Sequence, residues 1–181
     1  MGCDIHLFPE YKTNGVWFNM PLNEYGDRNY DLFGILAEGV RVDYNVTLND
    51  SDEIPEDELV KVHEPNGIPN DVSYMTRRRL CYYVKRGEMV DALAENTITP
   101  TKAEMMESFG ATYYDEKKEW LINPDWHSLS WITLDELKEL LEEYEKACGC
   151  EATTSYWALY NYMKTYADEG VEVRLVYWFD N

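Results

Sequence analysis

Ten residues at the amino terminus, Met1-Gly-Cys-Asp-Ile-His-Leu-Phe-Pro-Glu10, restrict the fold more than any other stretch. Read as a strand, they send Cys3, Ile5 and Leu7 to one face and Asp4, His6 and Phe8 to the other, because side chains alternate along extended backbone. The apolar face needs a cover, and the polar face must meet later chain or solvent. An acid and an imidazole two residues apart on one strand face can share a metal, or the acid can orient the imidazole for proton transfer. The same pattern also suits a half-exposed strand whose histidine is simply hydrogen-bonded.

The stretches that follow supply partners for this strand. Thr13-Asn14-Gly15 is a turn signal and Val16 to Met20 has strand composition, so the first twenty residues predict a β-hairpin. Tyr30 to Ala37 has helical apolar spacing, with Arg28 and Asp31 at its entrance, where free amide donors beside an arginine would suit an anion. The bland alternative is that Asp31 caps and Arg28 makes a surface ion pair. Residues 49–58 read as a solvated acidic loop, His63 as a surface histidine, and Asn66 to Ser73 as a turn cluster whose useful groups are Asp71 and Ser73.

A basic patch, Arg77, Arg78, Arg79, Lys85 and Arg86, precedes a predicted helix from Thr99-Pro100 to Phe109. Such a patch fits an anionic ligand or an acidic partner, and equally internal pairing with the acidic loop or helix. Thr112-Tyr-Tyr and Glu119-Trp-Leu-Ile read as a second hairpin. In the dense stretch from Asn123 to Ile132, an extended backbone places His127 on the face opposite Ser128 and Ser130; a turn would let all three converge.

Thr133-Leu-Asp-Glu136 fits a capping box, and Leu134, Leu137, Leu140, Leu141, Tyr144 and Cys148 form an apolar stripe ending at Gly149. Thr154 to Glu169 is a second amphipathic helix, and Val171 to Asn181 is an apolar strand expected to pair near the first. Together these elements predict an α+β fold: one domain over 1–181, a mostly antiparallel sheet containing both terminal strands, and helices packed on one face.

Composition narrows the function classes. With 45% hydrophobic residues, 181 residues suffice for a core without disulfides, and Cys3, Cys81, Cys148 and Cys150 read as cytosolic thiols in the absence of a signal peptide or a membrane-length apolar run. A charge of −19 disfavours non-specific nucleic-acid and anionic-membrane binding, yet leaves room for one small phosphorylated ligand held by close donors.

The opening Met1-Gly-Cys-Asp-Ile-His, Arg28-Asn-Tyr-Asp-Leu-Phe, Gly67-Ile-Pro-Asn-Asp-Val-Ser, His127-Ser-Leu-Ser-Trp and the closing Trp178-Phe-Asp-Asn together resemble a family of uncharacterised phage and prophage proteins, with residues 88–118 as variable filling. The resemblance implies a bacterial or phage cytoplasmic setting and is compatible with a counter-defence role. Asp4-Ile-His6 also looks like the first motif of calcineurin-like metallophosphoesterases, whose later histidine motifs are missing here, and the paired His-x-Ser/Thr of two-histidine phosphodiesterases is not met.

The expectation is therefore a polar pocket for a small phosphorylated or nucleotide-like ligand, hydrolysed or sequestered. Asp4, His6 and His127 are the candidate acid/base groups or ligands of a divalent metal, and Arg28, Asp31, Ser128, Ser130 and Arg174 the candidate ligand-holding groups. The alternative is an acidic interaction protein that blocks a basic partner with the helix from Asp135 to Glu145.

Overall fold

A computed structural model describes residues 2–21, 28–46, 53–80, 112–114, 119–121, 127–152 and 154–180. The first strand, β1 (Asp4–Thr13), turns through Asn14 and Gly15 into β2 (Val16–Asn19). Both turn residues have positive φ, 52° and 78°, which a two-residue hairpin loop requires and which Asn-Gly tolerates. The carboxy-terminal strand, β6 (Val173–Asp180), lies antiparallel along nearly all of β1, from Asp4 opposite Asp180 to Tyr11 opposite Val173. On its other side runs β5 (His127–Thr133), giving an antiparallel sheet in the order β2-β1-β6-β5. Both terminal strands are in it, and the class is α+β as the pattern predicts.

Three helices cover one face of this sheet. The first, α1 (Tyr30–Leu36), starts at Asn29, whose side chain accepts from the Leu32 amide. It buries Leu32, Phe33, Ile35 and Leu36. Gly34 is needed there, because a Cβ would lie 3.0 Å from the Val42 side chain and closer still to the Val42 carbonyl. A second short helix, α2 (Tyr74–Leu80), contacts β2 instead. The long helix α3 (Leu134–Cys148) begins with both halves of the capping box, Thr133 and Glu136, and ends at Gly149 in the left-handed region at φ 63°. It is followed by α4 (Thr154–Asp168).

Leu137, Leu140, Leu141 and Tyr144 of α3 and Tyr156, Leu159, Tyr160 and Met163 of α4 meet Ile5, Leu7, Leu175, Tyr177 and Phe179 of the sheet in one core. Each large side chain removed from water in this way contributes about 1.5–3 kcal/mol before the entropy of ordering is charged against it. The aromatic row of α4 is therefore core. Thr112–Tyr114 (β3) and Glu119–Leu121 (β4) pair antiparallel, the second hairpin of the sequence reading. Lys85, Arg86, the helix expected over 99–109 and most of the 88–118 stretch lie outside the described residues.

The opposite face of the sheet carries a smaller cluster of Val72, Val176 and Trp178, packed with Phe8, Ile68, Leu129 and Trp131. A buried polar network pins the loop that crosses it. Glu10 accepts from Arg174 Nε at 2.9 Å, from the Ser73 amide at 2.9 Å and from the Thr76 hydroxyl at 2.6 Å. Arg174 also donates to the Asp71 carboxylate and carbonyl, and its guanidinium lies 3.8 Å from the centre of the Trp17 ring.

Candidate functional site

Because Asp4 stands opposite Asp180 and His6 opposite Trp178, the register of β1 and β6 gathers chemistry at one end of the sheet. Residues directly opposite on antiparallel strands share a face. His6 Nε2 lies 2.8 Å from Asp180 Oδ2, both partly exposed, and its ring stacks on Trp178 at 5.7 Å between centroids. Phe8 stacks further along the same indole at 4.6 Å. The imidazole is thus held between a carboxylate and an aromatic floor. Asp180 also accepts from the Asp4 amide at 3.3 Å.

Asp4 is engaged by an arginine. Arg28 donates from Nε and Nη2 to the two carboxylate oxygens, the second contact at 2.8 Å. This paired geometry holds the Asp4 carboxyl below its ordinary range, chiefly through the hydrogen bonds and secondarily through the charge of Arg28. Gly2 makes room for it, since a Cβ there would sit 2.9 Å from Arg28 Nη1. Beside the pair, the Tyr30 hydroxyl accepts from the Cys3 amide at 3.3 Å, and the exposed Arg41, with backbone φ 66°, lies 5.5 Å from the centre of the Tyr30 ring. Burial pushes the Cys3 thiol up, against the opposing pull of Arg41, so Cys3 is a packed thiol.

Several sequence expectations change at this point. His127 does not join Asp4 and His6. It stands opposite Phe179 and stacks on that ring at 5.9 Å, on the helix-covered face, whereas His6 is on the other face with Trp178. The Asp4–His6–His127 metal set is therefore not assembled.

Simple alternation also fails in β5. A register shift between His127 and Ser130, with Ser128 at φ 50°, brings His127 and Ser130 to the same face, opposite Phe179 and Tyr177. Ser128 bonds the neighbouring His127 ring at 3.1 Å, and Ser130 is fully buried opposite Tyr177, so among the described residues neither is placed at the Asp4–His6 end.

Arg174 is not available to a ligand either. Its side chain is 5% exposed and spent on Glu10 and Asp71. Hydrogen bonds and charge from Arg174, with a bond from Trp17, hold Asp71 below its ordinary range although burial opposes them. At the entrance of α1 the cap is Asn29 rather than Asp31, and Arg28 turns to Asp4. Asp31 is exposed on the first turn and contributes its carbonyl to the Tyr44 hydroxyl.

His63, expected at the surface, is half-buried and bonds Ser130 Oγ through Nε2 at 2.9 Å, while the Asn66 amide donates to the same hydroxyl. Its backbone is tied to α1 through its amide to the Ile35 carbonyl and the Glu38 amide to its carbonyl. Burial pushes the imidazole below its usual value, with Glu136 opposing. Nothing in a lone histidine before Glu-Pro signals this. Asp180, by contrast, could have been found by counting back along a strand paired with Asp4.

The acids of α3 are less free than helical spacing implies. Glu136 caps, Glu145 accepts from the Trp157 indole and the Ala152 amide, and Glu139, Glu142 and Glu143 meet Lys61, Lys138 and Lys146. Among the described residues no group of three His, Cys, Asp or Glu side chains is placed to hold a metal ion, Cys148 and Cys150 included. No helix among them is long and apolar enough to cross a membrane. No family model, curated protein or solved structure matches the chain.

Proposed function

We propose that the chain binds a small phosphorylated or nucleotide-like ligand at the Asp4–His6–Asp180 end of the sheet, and that His6 is the acid/base group of a phosphodiester cleavage there. The carrying observation is the 2.8 Å contact between His6 Nε2 and Asp180. A carboxylate within hydrogen-bond reach of one ring nitrogen orients the imidazole, which is how an acid/base histidine is held for proton transfer. Stacking on Trp178 restricts the ring further.

Arg28 is the anion-holding group of this reading, with Arg41 next to it across Tyr30. The Arg28–Asp4 pair is exposed on both sides, and exposed pairs contribute little, so a phosphate can take over the guanidinium at small cost. A bacterial or phage cytoplasmic setting, compatible with a counter-defence role, is the context the sequence resemblance implies.

The test screens phosphodiesters and cyclic nucleotides by ligand-observed NMR and by turnover, with chelator and with added divalent cation. Wild type is expected to bind and cleave, His6→Ala to bind without turnover, and Asp180→Asn to lose roughly 10²–10⁴ in kcat with little change in KM. Arg28→Ala should raise KM. Binding that survives in wild type without any turnover would reduce the activity to sequestration. Undiminished turnover in His6→Ala, or no binding by wild type at millimolar ligand, sinks the reading.

A further inference from the structure

Among the described residues β2 is the outermost strand of its sheet, and its hydrogen-bond parity follows from the hairpin. Thr13 and Val16 flank a two-residue loop and exchange both bonds, as do Tyr11 and Phe18 two residues on. The Met20 amide donating to the Pro9 carbonyl at 2.9 Å continues the same phase, and the Lys12 amide, turned away from β2, donates to the Glu172 carbonyl. The amides and carbonyls of Trp17 and Asn19 therefore point outward.

Beside them a groove of ≈ 490 Å³ lies between β2 and the 71–75 segment, lined by Trp17, Asn19, Asp71, Ser73, Tyr74 and Met75 among others. Edge strands are ordinarily blunted by lysine, proline or a covering element. Val16-Trp17-Phe18-Asn19 has neither residue, and although α2 contacts β2, the strand and the start of α2 expose apolar surface: Val16 55%, Phe18 45%, Tyr74 66% and Met75 52%.

We propose that this edge is a docking site for an extended, basic segment of another protein, which adds a fifth strand to the sheet beside β2. Main-chain bonds to Trp17 and Asn19 supply the pairing, and alternate side chains of the incoming strand lie on Val16 and Phe18 on one face and on Tyr74 and Met75 on the other. Charge selects the occupant. Among the described residues lining the groove, Asp71 is the one that carries a charge, its side chain is 62% exposed, and its buried partner Arg174 is already matched by Glu10. The whole chain stands at −19, which attracts a basic strand and repels a second copy of itself.

The experiment uses the full chain and a capped heptapeptide alternating valine and arginine, read by amide exchange and NMR titration. The expected result is protection of the Trp17 and Asn19 amides, with affinity reduced at least tenfold, the equivalent of 1.4 kcal/mol, when arginine is replaced by glutamate or the central peptide amides are methylated. Phe18→Lys, at an exposed side chain, should weaken the peptide similarly while leaving the spectrum of the core intact. The proposal is overturned if the glutamate peptide binds as well, if protection falls elsewhere, if no protection develops at millimolar peptide, or if the same amides become protected with protein concentration alone, which marks self-association.

Discussion

Replacing Glu10 by alanine should be among the most damaging single changes in the sheet. Glu10 is 0% exposed and Arg174 4%, and between them they tie β1, β6 and the 71–76 segment. Without the carboxylate, Arg174 keeps a buried charge met by Asp71 and the Trp17 ring, and the Ser73 amide and Thr76 hydroxyl lose the Glu10 acceptor. Breaking one side of a buried ion pair costs about 3–5 kcal/mol, most of it the penalty on the charge left behind. For a chain of this size that corresponds to a Tm lower by roughly 6–20 °C.

Urea denaturation followed by Trp fluorescence, run as a double-mutant cycle with Glu10→Leu and Arg174→Met, separates that penalty from the worth of the pair. The double variant should recover at least about 2 kcal/mol relative to the sum of the singles. A loss under about 1 kcal/mol for Glu10→Ala, or additive singles, would refute the account of the network as a mutually dependent unit.

Other outcomes follow from the same geometry. The imidazole of His63 is held below its ordinary value of 6.5, so the unfolded chain takes up a proton that the folded chain refuses. Stability should then fall as pH drops below about 6.5 toward the folded value and level off beneath it, and His63→Gln should remove this part of the slope in urea midpoints measured from pH 7.5 to 5. Thr133→Ala removes the side-chain half of the α3 capping box and should cost about 1 kcal/mol in the same denaturation assay. Gly34→Ala forces a methyl against the Val42 backbone and should cost about 1–3 kcal/mol, whereas helix propensity alone would have it stabilise.

Local signals were legible where one element settles its own conformation. The alternation of Cys3, Ile5 and Leu7, the Asn14-Gly15 turn, the Thr133–Glu136 cap and the stripes of α3 and α4 are all statements about neighbours within a few residues, and each stands in the structure. An apolar strand at each end of the chain led to the expectation of an antiparallel sheet containing both, with helices over its apolar face, and β1 and β6 do pair in it.

Partners across long separations were decided by the tertiary structure. Whether His6 meets His127 or Asp180 depends on register, and the shift at Ser128 puts His127 on the face of Ser130, away from His6. His63 reaches Ser130 across 67 positions, and Arg174 reaches Glu10 across 164. Arg174 alternates in sequence like a residue pointing to solvent. It is buried because Trp17 of β2 and Asp71 close over it, Asp71 from a loop in which the next residue, Val72, packs against Trp178. Local chemistry along the chain settles which residues are charged, apolar or turning; the fold settles which of those charges face one another, because a side chain's partner is fixed by the free energy of the whole packed sheet and not by its neighbours in the chain.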